Sequence, residues 1–96
     1  MAAVTLADVY VHLGAHFAAL GNWTRAAAYY DLAARLLRTR DVPDFEYTVR
    51  MALGRALAEL GQREEARAHF EAARSLCLDI KDDEGAESAL AALARS

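Results

Sequence analysis

Apolar residues recur along the chain at spacings of three and four, with polar residues between them. Near the C-terminal end, for example, Ala86, Ala89, Leu90 and Leu93 fall on one face of a helix, while most of the charged residues of that segment fall elsewhere. Ala, Leu, Arg and Glu, which are strong helix formers, dominate the composition, whereas Val and Ile are few. The pattern therefore predicts an all-α fold.

Helix-ending residues divide the chain into five predicted helices. Gly21 can adopt the left-handed conformation that closes a helix, and Asn22 is a good N-cap, so the pair predicts a tight turn between antiparallel helices. Gly61-Gln62 repeats this signal, and Pro43 ends the second helix because it lacks a donor N–H. The predicted helices run from a capping box of Thr5 and Asp8 to about Leu20, from Trp23 to Thr39, from Asp44 to the turn at Gly61-Gln62, from Arg63 to about Ile80, and from a cap at Asp82 and Asp83 to about Arg95.

The sequence repeats itself at an interval of 40 positions. Repetition of this kind is typical of a solenoid of helical hairpins, in which each hairpin buries its apolar face by stacking on the next. We therefore expect a single domain over residues 1–96, with repeat one at about 5–40, repeat two at about 44–80 and a capping helix at about 83–95. The recurring residues are Leu13-Gly14, Leu20-Gly21, Ala26, Tyr30, Ala33 and Leu36, which return as Leu53-Gly54, Leu60-Gly61, Ala66, Phe70, Ala73 and Leu76, with Leu53 returning once more as Leu93.

The repeated unit resembles the tetratricopeptide repeat (TPR), whose hairpin reads Trp-x2-Leu-Gly-x2-Tyr, then Ala-x3-Phe, a further Ala and a closing Pro. Arg38 and Leu78 stand where the closing Pro is usual, and the 40-residue interval exceeds the usual length of about 34, so the second helices are expected to be longer. Such units resemble those of large regulatory proteins, including kinesin light chains, polarity adaptors and bacterial transcriptional activators. The two copies read Tyr10-x2-Leu13-Gly14-x2-Phe17, Ala26-x3-Tyr30, Ala33 and Arg50-x2-Leu53-Gly54-x2-Leu57, Ala66-x3-Phe70, Ala73.

The resemblance implies a superhelix that serves as a non-enzymatic protein-interaction module. In the family, the first helix of each hairpin lines a concave groove that accepts a peptide or a partner helix. Val11, Ala15 and Ala52 replace the Lys and Asn residues with which chaperone-binding members hold a C-terminal carboxylate, so chaperone-tail binding is not expected. Carried over by position, the groove comprises Asp8, Val11, His12, Ala15, Thr48, Met51, Arg55 and Glu59, with Ala18, Ala19, Ala52, Ala58, Ser88, Ala91 and Ala92.

Two other interpretations concern the chemistry of this surface. Arg55 can hold a partner's carboxylate through its planar guanidinium, or it can pair with Glu59 one turn later. His12 and His16 are spaced so that both can reach one zinc or nickel ion, with Asp8 as a third ligand, but no Glu follows His12 as in helical zinc hydrolases. The alternative is that the histidines are solvated or meet a partner, and we predict no metal site.

Composition and charge narrow the functional classes. A net charge of -3 argues against general affinity for nucleic acid or an anionic membrane. Cys77 is the one cysteine, which favours a reducing, cytoplasmic location, and its apolar neighbours indicate a buried thiol. The N-terminal apolar run is too short and polar for a signal peptide or a spanning helix. With no phosphate loop, cysteine-pair motif or acid–base pair, we expect neither an enzyme nor a cofactor.

The first helix also suggests self-association. Its apolar residues cover much of its circumference, and His16 stands at the position that small Ala56 occupies in the second copy. A solenoid of two and a half repeats is short of the three that such folds generally need. The sequence therefore leaves two alternatives: a homo-oligomer, such as a homodimer through the terminal faces, or a monomer in which these residues pack internally against helices two and three. The alternative function is a ligand-sensing or regulatory fragment of a larger transcriptional or signalling regulator.

Overall fold

The computed structural model of the chain describes residues 2–95, which form five α-helices and no strand. The all-α prediction is confirmed, although positions 1 and 96 of the predicted domain lie outside the described residues. The helices are α1 (Ala2–Ala19), α2 (Trp23–Leu37), α3 (Pro43–Glu59), α4 (Arg63–Asp79) and α5 (Asp83–Arg95).

The helices pack in chain order, each against the next. Helices α1 and α2 form one hairpin and α3 and α4 form another, while α2 contacts α3 and α4 contacts α5. This arrangement is the expected superhelical stack of two hairpins followed by a fifth helix. Alanines fill much of the core and allow the helix axes to approach closely; Ala26, Ala33, Ala66 and Ala73 are fully buried at equivalent positions of the two hairpins.

A glycine and an aromatic ring bring the two helices of each hairpin together. A Cβ atom on Gly14 would lie 2.7 Å from Cε1 of Tyr30, and one on Gly54 would lie 2.5 Å from Cε1 of Phe70. Both distances are too short for a side chain, so only glycine lets the ring lie against the helix backbone. The predicted equivalence of the two hairpins is thus confirmed at atomic detail.

The tight turns within the hairpins form as predicted. Gly21 and Gly61 have positive φ values of 77° and 80°, and the side chain of Asn22 accepts a hydrogen bond from the N–H of Arg25. Gln62 makes no such cap. Each turn also has a backbone hydrogen bond that spans it, from Asn22 N to the Phe17 carbonyl at 2.8 Å and from Gln62 N to the Leu57 carbonyl at 2.9 Å.

Some predicted helix ends are wrong by a few residues. Thr5 is not the N-cap of the first helix, because α1 already begins at Ala2, where Ala2 and Ala3 favour the helix and Val4 packs against the core. Helix α2 ends at Leu37 rather than Thr39. Helix α3 begins at Pro43, whose missing N–H would have no partner in a first turn.

Candidate functional site

Helices α3, α4 and α5 surround a cleft of roughly 420 Å³. Helix α3 supplies one continuous face to it, because its four lining residues are spaced by three, four or one positions. Helix α4 contributes its first residue and an aromatic ring, and α5 contributes two residues of its last turn. The lining residues are Met51, Arg55, Ala58, Glu59, Arg63, Phe70, Ala92 and Arg95.

The inner part of this cleft is apolar. Phe70 is almost fully buried and lies against Gly54, so the hairpin packing itself places the ring beside the cleft. Met51 is half-buried and packs against the core, and Ala92 is buried. An apolar side chain that entered the cleft would therefore meet apolar groups already held by the core.

The outer part of the cleft is positively charged. Arg55, Arg63 and Arg95 with Glu59 give the lining a formal charge of +2, whereas the whole chain carries -3. None of these three arginines forms an ion pair with another described residue, and the sequence-based alternative of an Arg55–Glu59 pair is not observed. Their guanidinium groups are therefore available to an incoming carboxylate.

Arg55 also affects the first hairpin electrostatically. Burial raises the pKa of Tyr30 above its ordinary value, and the positive charge of Arg55 partly opposes that rise. The ring of Tyr30 lies against Gly14 in the core of the first hairpin. The charge of Arg55 on α3 therefore lowers the pKa of a core residue in the neighbouring hairpin.

The predicted groove residues divide between two places. Met51, Arg55 and Glu59 line the cleft, while Thr48 lies near the start of α3 and donates its hydroxyl hydrogen to the Asp44 carbonyl at 3.1 Å. The four residues from α1 do not line it; Asp8, His12 and Ala15 are exposed and Val11 is half-buried.

Sequence reasoning missed Arg63, Phe70 and Arg95 as lining residues. Arg95 could have been found, since it stands 40 positions after Arg55 and belongs to the same register of the repeat. Arg63 and Phe70 belong to a second helix, which the family pattern does not place in the groove.

The described residues offer no cluster of three or more side chains suited to hold a metal ion. His12 Nδ1 lies 2.7 Å from the Asp8 carbonyl oxygen and 3.6 Å from the Asp8 carboxylate, and the rings of His16 and Phe17 form a T-shaped contact with centroids 5.4 Å apart. Cys77 is buried as predicted, and burial, with the negative charges of Asp82 and Asp44, raises the pKa of its thiol. The thiol is therefore held protonated and is a poor nucleophile.

A second, smaller cleft of roughly 340 Å³ lies along α2, α3 and α4. Asp31 and Arg35 both line it and form an ion pair, with Nε of Arg35 2.9 Å from Oδ2 of Asp31. His69 also lines it, and burial together with the charge of Arg50 lowers the pKa of this imidazole, although Asp31 and Glu65 raise it. Arg35, the one arginine that lines this cleft, is thus already paired with a carboxylate, unlike the arginines of the first cleft.

Compared with known proteins, the chain matches no family model, and no curated protein or solved structure shows significant similarity to it. Among the helices of residues 2–95, none combines the length and the apolar character needed to cross a bilayer.

Proposed function

We propose that this chain is a non-enzymatic, TPR-like interaction module that binds an extended peptide segment of a partner protein in the cleft between α3, α4 and α5. The observation that supports this most directly is the placement, around an apolar floor, of three arginines that form no ion pair with any residue of 2–95. Such a combination suits recognition of a peptide, since the floor provides burial and the charges provide orientation.

The charge of the cleft favours an acidic peptide. Arg55 and Arg95 occupy equivalent positions of successive repeats, so their guanidinium groups face the same opening from α3 and α5. Each can form two parallel hydrogen bonds with a carboxylate. We propose that acidic side chains of the peptide meet these arginines while an intervening apolar side chain contacts Phe70.

The free cysteine and the dimensions of the molecule are compatible with a peptide-binding role inside the cell. The buried free thiol of Cys77 suits a reducing compartment, and we propose a cytoplasmic location. The longest dimension of the molecule is 34 Å, which an extended peptide of about ten residues would span.

Fluorescence anisotropy tests the proposal with a labelled peptide of about ten residues in which Glu alternates with Leu. We expect measurable binding, and a dissociation constant raised about tenfold by Arg55→Ala or Arg95→Ala, because each loses a charge-assisted hydrogen bond. Arg74→Ala is the matched control, since Arg74 is an exposed arginine of α4 outside the cleft. Equal affinity of the wild type and the Arg55→Ala/Arg95→Ala double variant would contradict the proposal, as would equal binding of the peptide with Lys in place of Glu.

A further inference from the structure

Helix α1 exposes a straight apolar stripe on the side away from its hairpin partner. Leu6, Val9 and Leu13 are 43%, 49% and 36% exposed, and His16 and Leu20 continue the same line. Successive members of the stripe are separated by three, four, three and four positions. This is the a/d spacing with which two helices pack along a shared seam.

The same positions are buried in the later repeats. Forty residues on, Glu46, Val49 and Leu53 occupy the corresponding face of α3, which packs between α2 and α4. Forty residues further, the corresponding face of α5 packs on α4. All six residues at these positions, Glu46, Val49, Leu53, Ala86, Ala89 and Leu93, are at most 9% exposed.

In α3 and α5, the preceding helix of the chain packs against this face. Within the described residues, α1 has no preceding helix, and its stripe is left open. Leu6, Val9 and Leu13 are thus apolar side chains exposed on a face that is buried in the two later copies.

We propose that a second copy of this chain covers the stripe, with the two α1 helices antiparallel about a two-fold axis. The stripe is self-complementary in this arrangement, since Val9 of each copy lies opposite Leu13 of the other, and Leu6 lies opposite His16. Asp8 is the one acidic residue among Ala2–Ala19, and no Lys or Arg occurs there, so no array of like charges opposes the contact. Antiparallel helices also place opposite dipole ends together.

This inference does not depend on the proposed function, because the stripe and the cleft share no residue. One helix pair makes a small interface, so the dimer is expected to dissociate in the micromolar range. Sedimentation equilibrium of the full chain from about 5 to 500 µM would show the transition from monomer to dimer.

Val9→Glu is the disruptive variant, because it places two carboxylates in the seam. We expect it to raise the dissociation constant tenfold or more, by the approximate cost of burying an unpaired charge. Leu78→Glu is the matched control, as Leu78 is 51% exposed on α4, and it should leave the constant unchanged. Circular dichroism would verify that both variants remain helical.

His16→Leu tests the same seam in the opposite direction. It completes the apolar stripe and is expected to lower the dissociation constant several-fold. A chain that remains monomeric over the whole concentration range would overturn the proposal. So would a dimer whose dissociation constant neither Val9→Glu nor His16→Leu changes, since another surface would then hold the copies together.

Discussion

At the scale of the residue, the two hairpins differ at one pair of equivalent positions, where different kinds of side chain are in contact. In the first hairpin, the rings of Tyr10 and Tyr29 lie 6.1 Å apart, centroid to centroid. At the equivalent positions of the second, Arg50 and His69 are joined by a hydrogen bond of 3.1 Å. Arg50 also donates through Nε to the carboxylate of Glu46 at 2.9 Å, and both side chains are mostly buried. A polar network thus replaces an aromatic contact at the same point of the fold.

The network gives a stability prediction. We expect Arg50→Met to lower the free energy of unfolding by about 2–4 kcal/mol, because the carboxylate of Glu46 would remain buried without its partner. Replacing Glu46, Arg50 and His69 together by Leu, Tyr and Tyr, the first hairpin's residues, should restore stability to within about 1 kcal/mol of the wild type, since no buried charge is left unpaired. Urea unfolding followed by circular dichroism measures both. A triple variant no more stable than Arg50→Met would contradict the equivalence of the two contacts.

The sequence was informative about close packing and less so about charge. The pairing of Gly14 with Tyr30 and of Gly54 with Phe70 was predictable, because a glycine and a ring at fixed spacing have one way to meet in a hairpin. The absence of an Arg55–Glu59 pair was not predictable. Residues one turn apart on a solvated helix can pair or separate at almost equal free energy.

At the scale of the element, one turn geometry occurs three times. The turn between α4 and α5 has the same spanning hydrogen bond as the other two, from Asp82 N to the Cys77 carbonyl at 2.7 Å. Its left-handed residue is Lys81, with φ of 59°, where the other turns have glycine. Asp82 then caps α5 by accepting from the N–H of Gly85 at 3.0 Å. The cap at Asp82 was predicted from sequence, but a lysine does not signal this turn, because L-residues seldom adopt the left-handed region.

Lys81→Gly is therefore expected to stabilise the protein. The variant removes the steric cost of the left-handed conformation at the expense of some unfolded-state entropy, for a net gain of about 0.5–1 kcal/mol. Thermal unfolding, with Lys81→Ala as control, measures this gain. Lys81→Ala keeps the steric cost of the left-handed conformation, so its unfolding temperature should stay near that of the wild type. Equal stabilisation by Ala and Gly would show that the backbone conformation is not the cause.

At the scale of the whole molecule, two surfaces of different character lie on different helices. The cleft on α3, α4 and α5 is positive in a chain with a net charge of -3, whereas the stripe on α1 is apolar. The repeat explains both. It brings Arg55 and Arg95 into the same register, and among residues 2–95 it leaves exposed on α1 a face that is buried in α3 and α5.

The extent of the groove was only partly predictable. Met51, Arg55 and Glu59 line the cleft, while Asp8, Val11, His12 and Ala15 of α1 do not. Sequence register indicates which face of each leading helix points the same way. It does not determine the angle between successive hairpins, and that angle decides which parts of the shared face form one cleft.

The central claim, that an acidic peptide binds between α3, α4 and α5, is tested most directly by a titration of the ¹⁵N-labelled protein followed by amide NMR. On addition of the alternating Glu–Leu peptide, we predict saturable shifts at Met51, Arg55, Glu59 and Arg95, with little change at His69 in the second cleft. Shifts centred on the second cleft, or no saturable shifts at all, would contradict the account.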